Sequence, residues 1–335
     1  MYARIEDKRL YQKATGYARA SLLMGKFFNG LVAQLCISFG ILSYHHLLYM
    51  SVAGTVLIFS ISLFFPPVKH SLYFHNKKLK NDRKDEYDAI KPNQEIKIYA
   101  EPREIQETGD TFPSKNDSAV SHLWRDFKVA FTNSTVIRWS SWLVFAKGCH
   151  FLVITYIQVL WQTVAEEQKS VPLMNGAVEA TYTIISAAAA YMVARMSSDW
   201  KKGRNVFLIL SCVCSSGLLF YLSQARNLWL VYAAYIAYGF VFQLTLTITE
   251  SQIAQNLQRD SYALVFGFLS FAAFCVTSLS TVVLVQSSIF HLNVHQQFQL
   301  FSAFLMTLAC VIAFETIVST CCKKRNTLKI TEEIA

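Results

Sequence analysis

Three ionisable side chains, Lys26, Lys147 and Glu179, stand inside stretches that are otherwise almost free of charge. A charge at bilayer depth is costly unless paired or hydrated, so each is by default a candidate for handling a ligand, an ion or a proton. A carboxylate there suits a cation or proton exchange, and an ammonium suits a carboxylate. Glu179 shares its face with Asn175, Thr183 and Ser186 at i−4, i+4 and i+7, a polar stripe expected to border a cavity. The plainer alternative is a structural pair between helices. Lys26 shares a face with Gly30 and Gln34, about 13 Å along its helix from Tyr17. It either pairs across a helix interface or snorkels its ammonium toward the membrane edge.

Lys147, with His150, Phe151, Ile154 and Gln158 at helical spacing, forms a mixed basic and polar stripe, for which binding and packing are equally open readings. No second histidine lies at ligand spacing on the helix of His150, which reads more simply as a hydrogen-bonded core residue than as a proton relay. A second polar line, Gly239, Gln243, Thr247 and Glu250 at i, i+4, i+8 and i+11, descends an otherwise apolar helix and is expected to line a path. Tyr235, Tyr238 and Phe242 on that helix offer ring faces either for stacking a planar substrate or for packing.

The elements that position these residues follow from composition. Hydrophobic residues make up 53% of the 335-residue chain and charged residues only 16%, a balance that points to lipid as the main solvent. The formal net charge of +9 comes from side chains confined to a few stretches, so it does not imply nucleic acid. Cys36, Cys149, Cys212, Cys214, Cys275 and Cys310 lie in apolar runs without CxxC or His-rich spacing, and read as packing residues. No cofactor or metal is expected. Nor is an enzyme, since the apolar stretches lack paired carboxylates with a histidine, HExxH spacing, or a serine with a nearby base. The first sixteen residues are polar, with Arg4, Lys8, Arg9 and Lys13, and read as a cytosolic stub.

A bilayer core of about 30 Å needs about 20 apolar helical residues, because each backbone amide must bond within its own segment. Eight stretches qualify, at residues 17–41, 46–65, 139–161, 174–194, 206–222, 228–254, 262–285 and 298–320. The expected organisation is a stub with two spans (1–66), a charged cytoplasmic linker (67–137), a six-helix unit (138–322) and a tail (323–335). Within the linker, alternating Lys, Asp and Glu over 77–97 predict a solvated segment without its own core, with room for some short helix. Lysine and arginine, with Arg19 counted among the cytoplasmic charges, accumulate in alternate connections, which places both termini, and the sequons at Asn116 and Asn133, in the cytoplasm. Cys321 and Cys322 precede Lys323, Lys324 and Arg325, a setting for S-palmitoylation or for two unmodified thiols.

Ordered short motifs run along nearly the whole chain. They are YQKATGYARASLLMGKFFNGLVAQL at 11–35, PPVKHSLYF at 66–74, Trp139-Ser140-x-Trp142, Leu160-Trp161, and Asn175-Gly176-Ala177-Val178-Glu179-Ala180. Gln252-Ile253-Ala254, Tyr262-Ala263-Leu264-Val265-Phe266-Gly267 and Gln297-Phe298-Gln299-Leu300 follow in order. On these motifs the chain resembles the reduced folate carrier and thiamine transporter family, a branch of the major facilitator fold. The resemblance implies an all-α membrane protein, a major facilitator-like helical bundle with about eight transmembrane helices here. These correspond to the last two spans of one lobe and all six of the other, so that a shortened member without the first four spans is expected. It also implies a plasma-membrane carrier of a vitamin, thiamine or a reduced folate, worked by alternating access between two lobes. The alternative is a transport-incompetent truncated form or an incomplete gene product with at most a binding or regulatory role.

The resemblance further implies an acidic residue at Glu179, suited to a cationic aminopyrimidine or thiazolium vitamin, and an apolar residue where this chain has Lys26. Because fifth and eighth helices adjoin in that fold, it leaves Lys26 two partners, a substrate carboxylate or an acidic side chain across the lobe interface. Folate-transporting members carry basic residues at the positions of Gly239 and Thr277, so their loss argues against a standard folate anion site. Lys26 and Lys147 are suited to supply replacement charge, and both vitamins stay open.

Overall fold

The computed structural model describes residues 10–40, 44–64, 119–168, 173–196, 203–257, 262–285 and 292–334. The 66–74 motif, the 77–97 charge run, the sequon at Asn116 and the side chains of Cys321 and Cys322 lie outside them. In chain order the helices are α1 (Tyr11–Ser38), α2 (Tyr44–Leu63), α3 (Ala119–Ala130), α4 (Ser134–Glu167), α5 (Asn175–Arg195), α6 (Arg204–Gln224), α7 (Leu228–Asn256), α8 (Tyr262–Ser280) and α9 (Val294–Ile334). A π-helical turn at Thr281–Val285 continues α8.

None of the six prolines falls within a described helix, so no hydrogen-bond ladder in them is interrupted by a missing amide. Asparagines set two of the starts. The Asn133 side chain accepts from Thr135 N at 2.9 Å to open α4, and the Asn227 side chain accepts from Trp229 N at 3.0 Å to open α7.

Among the described residues seven helices are long and apolar enough to cross a membrane: α1, α4, α5, α6, α7, Tyr262–Val283 and Val294–Thr320. The remaining one of the eight expected spans is α2, whose apolar stretch, Leu48–Leu63, is shorter. The chain thus forms an all-α membrane bundle. The 67–137 stretch carries the short helix α3, and α9 runs on to Ile334, beyond the expected end of the last span.

Helices α4 to α9 form the larger unit. α4 packs on α7, α8 and α9, α6 packs on α7 and α9, and α5 lies against α7. Its core is heavily aromatic, with Trp139, Trp161, Tyr235, Tyr238, Phe298 and Phe301 almost wholly buried. The α6–α9 contact includes a reciprocal serine pair, in which Ser216 Oγ donates to Ser302 O at 2.9 Å and Ser302 Oγ donates to Ser216 O at 2.8 Å. Such pairing satisfies two hydroxyls where water is excluded.

α1 joins this unit mainly through α5. The two backbones approach so closely that a Cβ on Gly16 would lie 2.7 Å from both Ala190 O and Ala194 Cβ. Small residues let helices in lipid approach until dispersion contacts become numerous. At one end the Gln12 amide donates to Val193 O at 2.9 Å and Met196 O at 2.8 Å, satisfying carbonyls at the C-terminus of α5. Beside it the Tyr262 hydroxyl donates to the Tyr11 hydroxyl at 2.9 Å, tying α8 to α1.

Gly16→Val is expected to wedge α1 from α5, at a cost of about 2 kcal/mol. The purified protein should melt at a lower temperature than the parent, whereas Gly25→Val, at a position with nothing within 4 Å of an added Cβ, should melt like the parent. Equal melting of the two variants would contradict the α1–α5 seam.

Candidate functional site

The charged and polar residues singled out above lie along the contacts of α1 with α5 and α7, with His150 of α4 bonded to both α5 and α7 behind them. Gly30 lies 4.0 Å from Ala180 by its would-be Cβ, and Gln34 packs on Gly176, so the face of α1 that carries Lys26 looks onto α5. Glu179 precedes Ala180 on that helix, and Lys26 is its charged neighbour across the seam, within electrostatic reach and without an ion pair. The carboxylate accepts instead from the Tyr235 hydroxyl of α7 at 2.9 Å. Lys26 itself is exposed and has no ion-pair partner among the described residues.

Glu250, at the foot of the polar line on α7, is held by Arg19 of α1. The guanidinium Nε donates to Oε2 at 2.7 Å and a terminal nitrogen donates to Oε1, a two-pronged fork largely shielded from solvent. Sequence reasoning had counted Arg19 among the cytoplasmic charges. The signal that identifies it is spacing, since Arg19 and Lys26 are seven residues apart and therefore share a face of α1.

His150 sits at the centre, with Lys26, Arg19 and Lys147 all within electrostatic reach. It is buried, as the core reading expected. Its Nδ1 lies 3.3 Å from the Tyr238 hydroxyl and its Nε2 lies 3.5 Å from the Tyr182 hydroxyl, while its ring stacks on Phe242 at 3.7 Å between centroids. A neutral imidazole serves both contacts by donating through one nitrogen and accepting through the other. Lys147 donates to Ser270 Oγ of α8 at 3.3 Å and lies 6.0 Å from the Phe151 ring centroid. Glu250 and Arg19 are its charged neighbours.

The aromatic residues pack on each other. Tyr235 stacks on Tyr182 at 4.7 Å and meets Trp161 edge-on at 5.3 Å, and Tyr238 stacks on Phe242 at 6.1 Å. Tyr182, absent from the residues selected by sequence, fills the groove over Gly239. A Cβ at Gly239 would fall 1.9 Å from Tyr182 Cε2, so this glycine exists to admit a ring. A glycine amid the large residues of α7 was the available clue.

The remaining candidates divide by what they bond. The Thr247 hydroxyl donates to Gln243 O on its own helix at 2.7 Å, and Thr183 does likewise to Glu179 O at 2.9 Å. Gln243 is buried beside Thr247 on the same line. Asn175 Oδ1 is buried without a partner among the described residues, next to the Gln34 contact at Gly176. Thr277, at the second position where the resemblance implied a basic residue, donates to Gly148 O of α4 at 3.1 Å.

Thiamine transporter 2 of Mus musculus is 29% identical over 324 residues, covering 94% of this chain and 66% of its own length. Thiamine transporter 1 of Homo sapiens is 26% identical, covering 96% of this chain and 68% of its own length. The reduced folate transporter of Homo sapiens is 27% identical, covering 90% of this chain and 50% of its own length. The chain thus spans slightly less than two thirds of the length of the mouse relative. The reduced folate carrier pattern itself matches residues 1–300, and with a match of that extent the chain belongs to the reduced folate carrier family.

Proposed function

We propose that the chain works in the membrane passage of a vitamin, thiamine or a reduced folate, with α1 and the α4–α9 unit moving against each other around the charged seam between them. The observation that carries this reading is the position of Glu179. It faces α1 from α5, is oriented by Tyr235, and has the Lys26 ammonium as its charged neighbour. A carboxylate held by one neutral hydroxyl keeps lone pairs free for a cationic ring or a protonated aminopyrimidine. Lys26 across the seam from Glu179, and Lys147 beside the Arg19–Glu250 pair, are suited to the acid group of a folate. The relatives named above support a vitamin as the substrate.

In this reading Asn175, Gln243, Thr247, Tyr238 and His150 support the site. Gln243 and Asn175 offer amide contacts, and Tyr238 with His150 forms the aromatic floor. The Arg19–Glu250 fork, the Tyr11–Tyr262 contact and the Gln12 amide close one end of the α1 seam. By the distribution of Lys and Arg, that end faces the cytoplasm with both termini. Alternating access requires these contacts to open in turn while those near Gln34 and Gly176 tighten.

In cells expressing the chain, labelled thiamine or reduced folate uptake is expected to fall roughly tenfold in Glu179→Gln, equivalent to about 1.4 kcal/mol, at unchanged surface amount. Unchanged uptake would remove Glu179 from the site, and competition between the two vitamins identifies the substrate. Binding of either vitamin without uptake would favour a binding role over transport.

Arg19→Glu and Glu250→Arg are each expected to abolish uptake, because each leaves two like charges facing one another at low dielectric. The double variant exchanges the charges and should restore a measurable part of the rate. Failure of the exchange at normal surface amount would show that the pair acts through more than mutual attraction.

A further inference from the structure

Helix α3 is the one described helix with a strongly two-sided character and too short to cross a bilayer. It is joined to α4 by a short turn ending at the Asn133 cap, so it sits where α4 enters the membrane. Phe127 meets the Phe268 ring of α8 edge-on at 4.9 Å, and Phe131 meets it at 5.7 Å. Phe268 lies six residues, about 9 Å, along α8 from Tyr262. This face of α3 therefore reaches below the rim of the bundle, toward the depth at which acyl chains begin.

Trp124, Lys128 and Val129 of α3 remain exposed. Trp124 is 58% exposed although it stacks on Phe127 at 5.6 Å, and Val129 is 49% exposed. Lys128 Nζ lies 5.5 Å from the Trp124 ring centroid, so cation and indole form one amphipathic unit. Arg125 adds a second cation, against the single acid Asp126 in the helix. Arg204 of α6 donates to Thr135 Oγ1 at the start of α4, placing a further guanidinium at the same end of the bundle. An exposed indole paired with lysine, on a helix lying at a membrane boundary, has the chemistry of a lipid headgroup layer with acidic lipids.

We propose that α3 is a membrane-surface helix that binds acidic phospholipid headgroups through Arg125 and Lys128 while Trp124 enters the interface. It fixes the depth of the α4 entrance and of the α8 contact at Phe268. The occupant of this face is thus lipid rather than a second copy of the chain or a soluble protein.

The test uses the whole chain reconstituted in phosphatidylcholine vesicles with and without phosphatidylserine. Trp124 emission is isolated as the difference between the parent and Trp124→Phe. It should be quenched by lipids brominated near the headgroup and protected from aqueous iodide. Spin-labelled phosphatidylserine should be enriched around the parent over spin-labelled phosphatidylcholine. That preference should fall about fivefold for each charge removed in Arg125→Gln and Lys128→Gln, and high salt should weaken it in the parent. Iodide quenching without lipid quenching would show a solvated helix and overturn the proposal. Protection of Trp124 from both reagents, rising with protein density in the vesicle, would show a second copy on this face and overturn it as well. An unchanged lipid preference in the double variant, with the same elution profile as the parent, would overturn the headgroup assignment. None of these outcomes depends on vitamin uptake.

Discussion

An ion pair in a medium that does not screen it is the constraint from which the arrangement of α1 follows. In lipid the Arg19 guanidinium and the Glu250 carboxylate cannot each be left to water, and parting them leaves two expensive charges. The fork between them therefore fixes how far α1 slides along α7 and how it is rotated. Once that register is set, the side of α1 bearing Lys26, Gly30 and Gln34 must face α5, and Lys26 becomes the charged neighbour of Glu179. A contact at one end of the seam thereby decides which residues meet at its middle.

The seam and the interior use opposite packing chemistry. Between α1 and α5, glycine and alanine bring backbones together, leaving polar side chains as the variable groups. Within the α4–α9 unit, indole, phenol and imidazole rings fill the space, and their hydroxyls and ring nitrogens satisfy each other. A surface made of small residues slides with little steric resistance, whereas interlocked rings resist change. In the proposed reading, relative motion falls at the seam and the aromatic unit moves as one piece.

Much of this was legible from residue patterns because lipid imposes a severe rule on backbone amides. Uninterrupted apolar runs marked α4 to α8 within a few residues, and a spacing of four placed Lys26, Gly30 and Gln34 on one face. Partners across helices were harder to read, since they depend on rotation and slide that a single chain's pattern does not encode. Arg19 looked like a flanking charge because the apolar count begins near Tyr17, while the helix starts at Tyr11. Thr247 and Glu250 lie on one polar line, yet one bonds its own backbone and the other reaches across to α1. α3 could be allowed for but not placed, because about three amphipathic turns are a weak signal within a charged linker. The Tyr182 ring over Gly239 was invisible for the same reason as the ion pair, being a fit between two helices.

That fit has an evolutionary reading. While the phenol of residue 182 occupies the groove, no side chain of any kind can grow at residue 239, because its first carbon would already collide with the ring. A lineage acquiring a basic group there must first shrink residue 182, and a lineage losing it gains room for an aromatic. The two positions are thus expected to change in a fixed order, with the ring giving way before any side chain appears at residue 239.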